Sequence, residues 1–344
     1  MLRHEASLSL LFKRIFITAG LLLAVCFFIS TISFAQVKWV NVDADYGPLP
    51  SSVQVFKTTD SLDGKPFIGY YVKAKLKDKK LDFTTDTTLG RRSTPSQFFD
   101  KNDKPLIVVN CTFFSFETNR NLNVVIKDGK LVGYNIHTIP MRGKDTFQYR
   151  HPFGSAIGIT KRRNADVGWI FTDSLQRTPF AMQLPLRAVK DSISTLDLKR
   201  VYSILYPAPE PIAPPDLRFK KWKVKTAIGG GPVLVQNGKI QITNEEELKF
   251  TGKAINDKHP RTCMGYTSDG YLIIMVIQGR FPGIADGATL EQEAKLLVDL
   301  GCVEALNLDG GGSSCMLING KETIKPSDKG QQRPVPAVFI ITKR

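Results

Sequence analysis

Asp309 closes an apolar run, Ala305-Leu306-Asn307-Leu308. Gly310-Gly311-Gly312-Ser313-Ser314 follow it before the chain turns apolar again at Met316-Leu317-Ile318. A carboxylate beside bare backbone can hold a metal ion, orient a sugar hydroxyl or move a proton. Glycine lets a ligand come close to the main chain, and successive turn N–H groups can cradle an anion. Three glycines in a row also raise the entropy cost of folding. A plain hairpin loop capped by Asp and Ser needs no such run. The stretch is therefore a candidate site.

The elements that must hold Asp309 are legible on both sides of it. Thr289-Leu290-Glu291-Gln292 is a capping box. Leu290, Ala294, Leu297 and Val298 then fall on one apolar helix face, and Gly301 supplies the left-handed stop. The segment from Cys302 to Leu308 reads as the strand that delivers Asp309. Glu304 lies mid-strand, five residues away and off the Asp309 face, so it ranks below Asp286 as a second carboxylate. Earlier in the chain, Thr94-Pro95-Ser96-Gln97 starts a short helix ending near Asn102. Pro105–Val109 is a fully apolar strand whose end presents Asn110-Cys111-Thr112-Phe113-Phe114.

Residues 53–56 and 167–171 read as strands, 66–76 as a half-exposed strand, and 81–88 is ambiguous. Asp128-Gly129, Asn237-Gly238, Asp269-Gly270 and Asn319-Gly320 each separate two apolar or alternating runs, the signature of two-residue hairpins. Four such turns predict an α+β fold of mainly antiparallel twisted sheets built from hairpins, with a few flanking helices. Pro207–Pro215 is a stiff, proline-rich stretch within a variable insertion at 172–222.

The chain has 344 residues, 42% hydrophobic and 23% charged, which suits a globular protein with a real core. Residues 1–35 read as a secretory signal peptide: Arg3, Lys13 and Arg14, an apolar stretch from Ile15 to Ile29, then Ser33-Phe34-Ala35 as the cleavage site. Residues 36–344 form the expected exported domain, secreted or periplasmic, with no stable membrane span after cleavage. Of the formal charge of +15, residues 1–35 carry away +2, leaving +13. Such a surface attracts phosphorylated glycans, wall polymers or membranes. No helix-turn-helix, RNP or zinc-finger pattern points to nucleic acid. Cys111, Cys263, Cys302 and Cys315 permit three full disulfide pairings in an oxidising compartment, and they lack the CxxC spacing of a zinc site.

Six motifs in order complete the reading: Asn110-Cys111-Thr112-Phe113-Phe114, Gly230-Gly231-Pro232, Arg261-Thr262-Cys263-Met264-Gly265, Gly279-Arg280, Thr289-Leu290 and Asn307-Leu308-Asp309-Gly310-Gly311-Gly312-Ser313-Ser314. Together they resemble the phosphodiester glycosidase family, and the resemblance covers about residues 90–344. Gln278 stands where that family often has Asp, and Ile284-Ala285-Asp286-Gly287 replaces a loop that often carries Ser.

The resemblance implies an exported hydrolase that cleaves a sugar from a phosphodiester-linked glycan, with an N-acetylglucosamine-1-phosphodiester-like substrate; a P–O-cleaving phosphodiesterase and a non-catalytic envelope glycan-binding protein are the alternatives. A phosphate leaving group asks for charge stabilisation more than for a strong acid. Arg261 and Arg280 are the cations this implies, since a guanidinium fork fits phosphate oxygens. Asp309, with Asp286 second, is the carboxylate that an oxocarbenium-like transition state requires. Asn110, Phe113, Gly230, Gly231, Asn307, Gly310, Gly311, Gly312, Ser313 and Ser314 are implied substrate contacts. His259 is read as structural or exposed. No cofactor is certain; a divalent cation at Asp309 is left open, as is the oligomeric state.

Overall fold

The computed structural model describes residues 37–141, 148–172, 177–186 and 220–344. The expected signal peptide and the Pro207–Pro215 stretch lie outside them. Three antiparallel sheets carry the chain. The first has eight strands, with Gly69–Lys75, Tyr271–Ile277, Arg261–Thr267, Cys302–Asn307 and Val233–Gln236 running through its middle. The second has seven, centred on Gly154–Ile159. The third has five, with Met316–Ile318, Ile107–Asn110 and Ala337–Lys343 adjacent. One apolar core joins all three: Val72 and Ile274 from the first sheet, Ile157 and Trp169 from the second, Ile107 and Phe339 from the third.

The α+β reading holds, with few helices against many hairpin-linked strands. The four Asn-Gly and Asp-Gly turns named above all form hairpins, joining Val125–Lys127 to Lys130–Gly133, Val233–Gln236 to Lys239–Ile240, Arg261–Thr267 to Tyr271–Ile277, and Met316–Ile318 to Lys321–Glu322. Thr94 and Thr289 each close a capping box, starting helices Pro95–Lys101 and Leu290–Asp299. Gly301 follows the second helix at φ 80°. The ambiguous stretch after residue 80 is a strand, Leu81–Thr87, at the edge of the third sheet.

Two expectations need correction. The strand from Gly69 is not half-exposed. Both faces of its sheet are covered: Tyr70, Val72 and Ala74 face the main core, and Tyr71 packs in a second cluster with Leu290, Ala294 and Leu297. Lys73, which suggested a solvent face, lays its ammonium 4.2 Å from the Tyr271 ring. The expected insertion at 172–222 is partly framework: Phe180–Met182 and Lys220–Lys221 pair with each other on the edge of the second sheet. Cys111, Cys263, Cys302 and Cys315, the cysteines among the described residues, are free and buried, so none of the three pairings is formed.

Glu247 fastens the first sheet to the second. This buried carboxylate accepts hydrogen bonds from Ser155 N (3.0 Å), Ser155 Oγ (2.8 Å), Trp169 Nε1 (3.3 Å), Val233 N (2.9 Å) and Thr243 Oγ1 (2.7 Å). Glu304 makes a second tie, accepting from Tyr266 Oη (2.6 Å) and Val167 N (2.9 Å). Its place in the strand thus agrees with its low rank as a site carboxylate. Removing Glu247 leaves several buried donors without an acceptor, each a desolvation cost. Glu247→Ala is expected to lower unfolding free energy by about 4 kcal/mol; urea denaturation followed by tryptophan fluorescence measures it.

Candidate active site

The chain leaves the first sheet at Asn307 and enters the third at Met316, and the Asp309 loop is that crossing. Asn110 closes it from below. Its Nδ2 donates to the Asp309 carbonyl at 2.6 Å, while its Oδ1 accepts from Thr262 Oγ1 and Cys315 N, both at 3.0 Å. Asn110 is fully buried. Expected to meet substrate, it instead stitches the first and third sheets together under the loop. The Asp309 N–H donates to Cys111 O at 2.8 Å, and Gly311 N–H to Pro260 O at 2.8 Å. Residues 311–313 make one turn of 3-10 helix.

These bonds hold the Asp309 carboxyl where water is scarce. Its Oδ2 is buried without a hydrogen-bond partner. Burial pushes its pKa up to about 7, although the Ser313 hydroxyl, the Arg333 guanidinium and the Gly310 N–H pull the other way. Asn307 Oδ1 and Ser314 Oγ are also buried and unpartnered. Three orphaned polar atoms within eight residues are costly in a folded protein and point to a group that completes them.

Two guanidinium groups lie against the glycines. A Cβ on Gly311, whose φ is 61°, would come 3.1 Å from Arg280 Nη2; one on Gly312 would come 2.2 Å from Arg333 Nη2. Side chains there would push both cations off the loop. Arg333 is held by Asp328 at 2.9 Å and donates to Ser313 Oγ at 3.5 Å, and it keeps the Asp328 carboxyl below its ordinary range. Arg280 is exposed and itself sits at φ 64°, a conformation that costs on the order of 1–3 kcal/mol outside glycine. Two such forks on a glycine turn suit a phosphate group.

Arg261 is buried: its Nε donates to Ala288 O (2.9 Å), its Nη2 donates to Asp257 O (3.2 Å), and Glu293 stands 4.0 Å away. It lies next to the loop, its Cα 3.6 Å from where a Cβ on Gly310 would fall, and two of its nitrogens are bonded within the protein. Burial pushes Glu293 up to about 7, with Arg261 the main opposing influence. His259 pairs through its backbone with Ala288, and burial together with Arg261 and Arg280 lowers its pKa. Asp286 reaches this region only through its backbone: its carbonyl accepts from Arg280 N at 3.5 Å. Gln278, in place of the expected Asp, accepts from Lys325 N at 2.8 Å.

Gly230 and Gly231 have their N–H groups tied to Ser155 O (3.0 Å) and Asn307 O (2.7 Å), and Asn307 Nδ2 donates to Gly231 O at 2.9 Å. These three residues brace the loop. They also leave room for Glu247 and Lys249, since a Cβ on Gly231 would fall 2.6 Å from Lys249 Cε. Phe113 and Lys249 then line a cavity of about 250 Å³ with Leu122, Ile136 and Pro152. The Lys249 ammonium lies 5.2 Å from the Phe113 ring, and burial lowers its pKa. Among the described residues no three His, Cys, Asp or Glu side chains gather as a metal site, and no helix is long and apolar enough to cross a membrane.

Sequence reasoning missed Arg333, Asp328, Lys249 and Glu293. Glu293 had a signal: it falls three residues after Leu290 on the apolar helix face, where a carboxylate needs a reason. Arg333, far along the chain and outside the quoted motifs, had none.

Comparison with known proteins bears on the same region. A family model described as phosphodiester glycosidase matches residues 103–342. An SPbeta prophage-derived uncharacterized protein of Bacillus subtilis (strain 168) is 41% identical over 88 residues, 26% of this chain and 13% of that protein. The human N-acetylglucosamine-1-phosphodiester alpha-N-acetylglucosaminidase is 34% identical over 106 residues, 28% of this chain and 20% of that enzyme. The chain thus matches a fifth or less of these curated relatives' length. Among solved structures, the zebrafish N-acetylglucosamine-1-phosphodiester alpha-N-acetylglucosaminidase catalytic domain, auto-inhibited by its pro-peptide, has TM-score 0.54 at 20% identity, covering 90% of this chain and 89% of that one. A hypothetical protein from Synechocystis has TM-score 0.56 at 13% identity, covering 89% and 64%. Both likenesses are of fold.

Gly312→Ala tests the loop without touching a charge. The new methyl meets the flexible far end of Arg333 first, so the urea midpoint should hold while affinity for inorganic phosphate, read by titration calorimetry, falls about tenfold.

Proposed function

The chain belongs to the phosphodiester glycosidase family, and from that premise we propose that it hydrolyses the bond between a sugar and a phosphodiester in an extracellular or periplasmic glycan. An N-acetylglucosamine-1-phosphodiester is the model substrate, as the curated relatives' activity suggests. The observation that carries this reading is the pairing of a desolvated carboxyl, Asp309, with two guanidiniums laid on the glycine turn that follows it. The leader read from residues 1–35 supports an exported setting.

Arg280 and Arg333 hold the phosphate that leaves. As the glycosidic C–O bond breaks, its electron pair passes to the phosphate oxygen, and fixed cations there lower the barrier. The ionised Asp309 faces the anomeric centre, stabilises its developing positive charge and accepts the proton of the attacking water. The cavity beside Phe113 and Lys249 receives the sugar: the Phe113 ring is one wall and the ammonium donates to ring substituents. Arg261, Asn110, Asn307, Gly230 and Gly231 position the loop from behind. Asp286 remains the candidate second carboxylate, joined to Arg280 through its backbone carbonyl.

Because Asp309 acts ionised, kcat should rise with pH and level off above about 7. Asp309→Asn is expected to lower sugar release on the order of a thousandfold and to abolish that limb. Arg333→Ala should cost about a hundredfold. In ¹⁸O-water the label should appear on the sugar; label on the phosphate would mean P–O cleavage and overturn the proposal.

A further inference from the structure

The cations do not stop at the scissile position. Arg333, which touches Ser313, also lies 5.4 Å from the Phe116 ring. Arg92 lies 5.2 Å from the same ring and 5.3 Å from Phe114. A backbone pair fixes this neighbourhood: Ser93 N donates to Val335 O at 3.0 Å and Val335 N to Ser93 O at 2.8 Å, setting the segments that bear Arg92 and Arg333 side by side.

The two arginines differ in one respect. Arg333 has Asp328 at 2.9 Å. Arg92 has no acidic or hydrogen-bonded partner among the described residues, only the two rings. Like charges on one ring repel, and no acidic group among the described residues neutralises the outer one. Phe116 itself is 63% exposed, yet it is held in place. It packs on Phe114 at 4.8 Å, and its loop is closed by Ser115 N to Arg120 O (3.0 Å) and Asn119 N to Ser115 O (2.9 Å). An exposed aromatic is thus fixed between two guanidiniums. It suits a ligand with anionic groups at intervals and C–H faces between them.

Resting on the reading of function above, we propose that the substrate is a glycan chain of successive phosphodiesters, in which Arg333 takes the scissile phosphate, Phe116 contacts the unit that follows, and Arg92 takes the next phosphate. The track runs outward from Asp309 through Ser313, Arg333 and Phe116 to Arg92, on the leaving-group side. It fits the positive excess of the chain, +15 formally, which favours polyanions.

Two probes test this: the methyl phosphodiester of N-acetylglucosamine, and a trimer of that sugar joined by two successive phosphodiesters. Binding is measured by titration calorimetry with the full chain carrying Asp309→Asn, so that nothing turns over. The slope of log affinity against log salt should be steeper for the trimer by about one, a phosphate's worth. Adding Arg92→Gln should remove that difference and lower trimer affinity about tenfold, while Arg92→Lys should keep most of it. Equal slopes for the two probes overturn the proposal, and this result needs no Arg92 variant to fold. An oligothymidylate with the same number of phosphates binding as tightly as the trimer also overturns it. Turnover by the wild-type chain is scored separately: salt slopes as expected with no cleavage of either probe would sink the hydrolase reading and leave the track standing.

Discussion

A carboxyl group held out of water is the constraint around which the site is arranged. An ionised Asp309 loses most of its hydration and has a free Oδ2. Such a group neutralises itself by taking a proton unless nearby donors and cations compensate. Ser313, Gly310 and Arg333 compensate only in part, which leaves it near 7. That balance makes the group useful at neutral pH. A better-paired carboxylate would be too weak a base, and a worse-paired one would stay protonated.

The rest of the fold reads as support for that placement. The loop crosses from one sheet to another, and each of its ends is held by backbone pairing. Asn110 and Asn307, buried side chains on either side, prevent the crossing from shifting. Glu247 and Glu304 fasten the second sheet behind it. The buried Arg261–Glu293 pair is a weak source of stability in general. Its value here is the fixed position of the strand that opposes the loop, since Leu308 N donates to Thr262 O at 2.7 Å.

Most of the fold could be read from the chain because its signals are local. Asn-Gly and Asp-Gly turns, two threonine capping boxes and Gly301 each act within a few residues. The motif at Asp309 was legible for the same reason: three glycines have few other uses. Where the reading slipped, partners distant in sequence decided. Arg261 follows its motif, yet the Ala288 and Asp257 carbonyls that bind its guanidinium come from loops that no local pattern ties to it. Arg333 reaches the glycine turn from far along the chain, held by Asp328 against the bare Gly312. No local pattern reports such contacts. The strand at Gly69–Lys75 was misjudged because its alternating lysine suggested solvent, whereas distant segments pack on both faces of its sheet.

The most direct measurement is the ionisation of the Asp309 carboxyl itself, by infrared difference spectra between the wild type and Asp309→Asn across pH. The account places its pKa near 7 and has it climb further in Arg333→Ala, because removing a nearby cation disfavours the anion. A carboxyl titrating near 4, unmoved by the loss of Arg333, would contradict it.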